Sequence, residues 1–74
     1  MKFGERLVKE RKKNKLTTQN MAKECGMSRS YITLIENGKR MPGRKLIPKI
    51  AKSLDLKTEV IVNWYLEDLR EKLL

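Results

Sequence analysis

Arg29 carries a fork of N–H donors that can make two parallel hydrogen bonds at once, and Ser28, Ser30 and Thr33 add single hydroxyls within about a turn of it. Downstream, Lys39, Arg40, Arg44 and Lys45 form a basic line. These groups suit recognition, with several hydrogen bonds donated at one segment and negative charge neutralised beside it. Equipment for making or breaking bonds is missing. The sequence has no histidine, no glycine-rich phosphate loop and no nucleophile next to a base, and its acids are scattered, so an enzyme is not expected. The single cysteine, Cys25, excludes an intramolecular disulfide, and without histidine no metal site or cofactor is expected. Cys25 reads instead as a small core residue.

The segment 18–35 has to position these donors. It reads as two short helices joined at Gly26, with Ala22 small enough for the second helix to cross closely over the first. Gly26 can adopt φ > 0 and end the first helix in a left-handed cap. Ile32 and Ile35, at i and i+3, turn one edge of the second helix inward and leave the opposite face outward. Thr17 and Ser28 stand where the two N-caps belong.

The 74 residues carry a net charge of +9 with pI ≈ 10.0, which suits a small single domain facing a polyanion, nucleic acid first among them. The charge is uneven: residues 1–52 hold 15 Lys/Arg against 4 Asp/Glu, a net +11, whereas residues 53–74 hold 3 against 5, a net −2. The basic part is therefore the stretch that contains the paired helices and not the C-terminal tail. No apolar h-region follows Met1, and no apolar run approaches the ~20 residues that span a bilayer, so no membrane association is expected and the cytoplasm is the expected compartment.

Arg11, LTTQNMA (16–22), Gly26, SRSYI (28–32), IENGKR (35–40), Pro42 and KIAKSL (49–54) occur in an order and spacing that strongly resembles the Cro/repressor-type (Xre-like) helix-turn-helix family of bacterial and phage DNA-binding regulators. The likeness runs from about Phe3 to Leu56. It implies an all-α, compact five-helix, lambda-repressor-like domain, with the helix-turn-helix at helices 2 and 3 and a longer C-terminal helix. It also implies that the second helix of the motif enters the major groove of double-stranded DNA. The chain is similar as well to the small controller proteins of restriction-modification systems, and no small-molecule ligand domain is evident.

With that helix in the groove, Ser28, Arg29, Ser30, Thr33 and Leu34 are the candidate base-reading residues. Arg29 is suited to guanine O6 and N7. Leu34 either rests on a thymine methyl or packs on Tyr31 at the rim. Candidate phosphate contacts are Thr18, Gln19, Tyr31, Asn37, Lys39, Arg40, Arg44 and Lys45. The family usually has glutamine directly after the first cap; here Thr18 stands there and Gln19 is displaced by one, so either could make that contact. Backbone N–H groups at the Asn37-Gly38 turn are expected to join Lys39 and Arg40 in a phosphate clamp. By the same resemblance Arg11 pairs with Glu36 and locks the first helix to the third.

Periodicity supplies the remaining elements. Phe3 to about Asn14 reads as a helix with Phe3 and Leu7 buried, and a fourth helix begins near Leu46 with Pro48 in its first turn, carrying Ile47, Ile50, Ala51 and Leu54 inward. The chain is read as one domain, 1–74, with a DNA-binding core over 1–56 and a C-terminal helix over 57–74. In that helix Val60, Ile61 and Trp64 are assigned to the core. Val62, Leu66, Leu69 and Leu73, spaced four, three and four apart, are left over as a homodimer seam. The reading from another class is a protein-interaction module, such as an antitoxin, whose apolar tail binds a different chain. RNA binding is weaker, because only four aromatic residues are available for stacking.

Overall fold

A computed structural model describes all residues, Met1–Leu74, as five helices: α1 (Phe3–Lys13), α2 (Thr18–Cys25), α3 (Arg29–Glu36), α4 (Leu46–Ser53) and α5 (Thr58–Leu73). No strand forms. Local signals set each boundary. Thr17 Oγ1 accepts the Asn20 N–H at 3.0 Å and Ser28 Oγ accepts the Tyr31 N–H at 3.1 Å, so both helices of the motif start on side-chain caps. Gly26 ends α2 at φ 66°, a conformation that strains a residue carrying a Cβ. Lys15 and Asp55 adopt the same left-handed conformation after α1 and α4, at φ 58° and 56°.

α1 lies on α3 and α5, α2 on α3 and α4, and α4 on α5. Together they enclose thirteen apolar residues: Phe3, Leu7, Met21, Ala22, Cys25, Ile32, Ile35, Leu46, Ile50, Ala51, Leu54, Ile61 and Trp64. The radius of gyration is 11.2 Å, close to the roughly 11 Å of a chain this long folded around one core, so α5 packs back on the other helices. Phe3 anchors that contact, edge-on to Trp64 and Tyr65 at 6.0 and 6.4 Å between ring centres. One inward assignment shifts by one position: Leu46, rather than Ile47, is buried in α4, because Leu46, Ile50 and Leu54 at i, i+4 and i+8 form its inner stripe and leave Ile47 at the edge. Of the three α5 residues assigned to the core, Ile61 and Trp64 are buried, and Val60 is half-buried and packs against the cluster.

Two joints set the position of α1. A Cβ at Gly4 would strike the backbone carbonyls of Ile35 and Glu36, so only glycine lets α1 lie directly on the end of α3. At the other joint, Asp68 of α5 is buried and its Oδ2 accepts the Phe3 N–H at 3.0 Å. The N-terminus of α1, which lacks a side-chain cap from Lys2, is thus capped from the far end of the chain. Arg6–Glu67 at 2.6 Å and the Met1 amine–Glu71 at 3.0 Å lie along the same joint. Cys25 is fully buried; burial, with Glu24 nearby, pushes its thiol pKa up, against smaller opposing effects from Ser53 and Lys49.

Candidate nucleic-acid interface

α3 turns Ile32 and Ile35 into the core and leaves Arg29, Ser30, Thr33 and Leu34 exposed, lining one shallow recess. The side chains of Arg29, Ser30 and Thr33 make no hydrogen bond or ion pair within the chain, so their donors are open to a ligand. Leu34 is 38% exposed and stands outside the apolar cluster, whereas Tyr31 is half-buried against it. Ser28 is exposed, but its hydroxyl is already engaged as the cap of α3.

A second recess joins α2 to α3 and is lined by Gln19, Ala22, Lys23, Met27 and Arg29. Gln19 is exposed there beside Arg29, and Thr18 is half-buried. Lys23 escaped the sequence reading of the site, although its place one turn after Gln19 on α2 was a signal for it.

Arg11 and Glu36 lie against each other at the α1–α3 joint. Arg11 Nε donates to Glu36 Oε2 at 2.7 Å, Nη2 to Oε1 at 3.3 Å, and Nη1 to the Leu16 carbonyl at 2.8 Å. The guanidinium thus ties the end of α3, the end of α1 and the start of the α2 approach into one unit. The pair holds α3 from behind while its outer face stays free.

Beyond α3 the chain turns at Asn37-Gly38. The N–H groups of Asn37, Gly38 and Lys39 donate to the Thr33, Ile35 and Leu34 carbonyls at 2.9, 3.1 and 3.0 Å. This corrects the expected backbone clamp at Asn37-Gly38: the N–H groups of Asn37, Gly38 and Lys39 close the end of α3 and are not open to a ligand. Lys39, Arg40, Arg44 and Lys45 are exposed, and Arg40 rests 5.4 Å above the Tyr31 ring. All four ion pairs of the chain involve α1 or α5: Met1–Glu71, Arg6–Glu67, Arg11–Glu36 and Lys72–Asp68. No cation from Arg29 to Lys45 is engaged in an ion pair, so α3 and the loop after it present uncompensated positive charge.

On α5 the side chains of Val62, Leu66, Leu69 and Leu73 are 36, 49, 39 and 75% exposed and lie along one face. No helix is long and apolar enough to cross a membrane.

A helix-turn-helix family model matches residues 7–61. The ImmF control region 10 kDa protein of Bacillus phage phi105 is 38% identical over 60 residues, which cover 81% of this chain and 67% of that protein. The HTH-type transcriptional repressor RghR of Bacillus subtilis (strain 168) is 38% identical over 72 residues, which cover 93% of this chain and 53% of the repressor. The chain spans two thirds of the phage protein and about half of RghR. Among solved structures, the restriction-modification controller protein C.AhdI from Aeromonas hydrophila superposes with a TM-score of 0.75 at 32% identity, over 80% of this chain and 89% of that one.

Proposed function

The chain belongs to the helix-turn-helix family of DNA-binding transcriptional regulators, in its Xre-like branch, and we propose that it reads a pseudo-palindromic operator as a homodimer. The outward face of α3 carries this reading: Arg29, Ser30 and Thr33 project from a rigid helix with every donor free, amid cations that no acid neutralises. Arg29 selects guanine, and Ser28, Ser30, Thr33 and Leu34 sense neighbouring base edges. Thr18 or Gln19, together with Tyr31, Asn37, Lys39, Arg40, Arg44 and Lys45, fixes the register on phosphates. Occupancy of the site then blocks or recruits polymerase in the cytoplasm.

Val62, Leu66, Leu69 and Leu73 supply the seam between two copies. A two-fold dimer sets its recognition helices about 34 Å apart, one turn of the duplex. The likeness to RghR, whose name is that of a repressor, and to the controller protein C.AhdI supports this reading. The same exposed α5 face favours a second reading, a protein-interaction module of the antitoxin kind, in which a different chain covers those leucines.

Selection from a pool of random duplexes at near-physiological salt, followed by sequencing of what is retained, tests the proposal. A two-fold symmetric motif is expected. Retention without a motif refutes the operator reading and leaves a basic surface. A chain that is monomeric by light scattering, both free and on DNA, shifts α5 to the second reading. Affinity should fall steeply with salt, log K against log[salt] having a slope of about −0.9 per phosphate contacted.

A further inference from the structure

Tyr31 and Arg40 come from different elements, the first turn of α3 and the loop that follows it. The guanidinium carbon of Arg40 stands 5.4 Å from the centre of the Tyr31 ring, within the range at which the face of an aromatic ring attracts a cation. The ring is held: it packs against the core, and the backbone beneath it is tied to Ser28 Oγ at 3.1 Å. The loop is fixed at its base as well, the Lys39 N–H donating to the Leu34 carbonyl at 3.0 Å. Arg40 itself is exposed, with no acid within ion-pair distance and no hydrogen bond. A free arginine on a surface samples many rotamers, and ordering it on a phosphate costs entropy at the moment of binding. A ring already fixed by the core removes part of that cost. It engages the face of the guanidinium and leaves the N–H edge open to phosphate oxygens.

We propose that Tyr31 is a positioning residue of the DNA interface, whose ring, rather than its hydroxyl, holds the Arg40 guanidinium ready for a backbone phosphate beside α3. The inference rests on the DNA-binding reading above and assigns the contribution of Tyr31 to a different atom group.

The test titrates a short fluorescein-labelled duplex of random sequence, by anisotropy across a range of salt, with the wild-type chain and five variants. These are Tyr31→Leu, Tyr31→Phe, Arg40→Lys, Arg40→Ala and the double variant Tyr31→Leu/Arg40→Ala, each checked for folding by thermal unfolding. Tyr31→Leu should weaken binding roughly two- to fivefold, and Tyr31→Phe, which restores the ring, should recover that loss. Arg40→Lys keeps the charge but loses the planar fork, and should weaken binding by a similar factor; it carries the test if Tyr31→Leu does not fold. Arg40→Ala should lower the salt slope by about 0.9, and the double variant should bind no more weakly than Arg40→Ala alone.

Three results overturn the assignment: a Tyr31→Phe loss equal to that of Tyr31→Leu, a Tyr31→Leu loss undiminished in the Arg40→Ala background, or an Arg40→Ala variant with unchanged affinity and slope. A wild-type chain that does not bind the duplex refutes the DNA-binding reading itself and this inference with it. Where wild type binds, the variants alone decide.

Discussion

Replacing Glu36 with Ala removes the carboxylate that faces Arg11, whose side chain is only 13% exposed, and leaves its guanidinium with a single remaining hydrogen bond to the Leu16 carbonyl. Stripping one partner from a fully buried pair costs ~3–5 kcal/mol, because the other charge is stranded away from water. Neither side chain here is wholly enclosed, so about 2–3 kcal/mol is expected. A chain of 74 residues has a total stability of roughly 4–11 kcal/mol. At about 6 °C per kcal/mol for this length, Tm should drop by roughly 12–18 °C, read by circular dichroism with urea unfolding as a cross-check. Since the penalty comes from the stranded charge, the double change Arg11→Met/Glu36→Leu should recover most of the loss. A fall below about 3 °C for Glu36→Ala would mean that the pair behaves as an exposed one, and a double variant less stable than either single would show that it is itself strongly stabilising.

Gly4→Ala pushes a methyl into the Ile35 and Glu36 carbonyls, and since backbone cannot swing aside it should cost at least about 2 kcal/mol in urea unfolding; a neutral result would place α1 further from α3. Arg29→Ala should weaken binding to a selected site by ~1–3 kcal/mol and relax preference at one base pair, whereas equal weakening on all sequences would make Arg29 a phosphate contact. Leu69→Asp should split the dimer and lower site affinity, and an unchanged mass by light scattering would sink the seam. The Cys25 thiol, its pKa raised by burial, should resist iodoacetamide in the folded chain and react once urea unfolds it. Because the unfolded thiol ionises first, stability should be complete below about pH 8.5 and decline as pH rises toward the folded value; a Cys25→Ala variant should lose that decline, and an unaltered alkaline limb would assign it to other groups.

The motif was legible because its instructions are local. Thr17, Gly26 and Ser28 act on backbone within a few residues of themselves, and Ile32 and Ile35 announce an inner face by spacing alone, so the limits of α2 and α3 follow from the order of residues. The outward placement of Arg29, Ser30 and Thr33 follows from the same periodicity. Closure of the Asn37-Gly38 turn was harder to foresee. That its N–H groups fold back onto α3 carbonyls depends on the turn geometry, which the residue types permit without requiring.

The sequence by itself determined an all-helical chain, where two helices begin and end, and a net positive charge carried by residues 1–52. Tertiary structure decided what joins residues far apart. Asp68 falls in register with Ile61 and Trp64 on α5, a core position, yet only the approach of α1 gives its carboxylate the Phe3 N–H that makes burial tolerable. Gly4 reads as an indifferent residue in a helix until the end of α3 arrives against it. The place of Arg40 over Tyr31 likewise depends on how the loop returns across α3. Periodicity and capping act over one or two turns, whereas a cap supplied across 65 residues, a backbone contact between helices or a stacked guanidinium exists only once the core has brought those elements together.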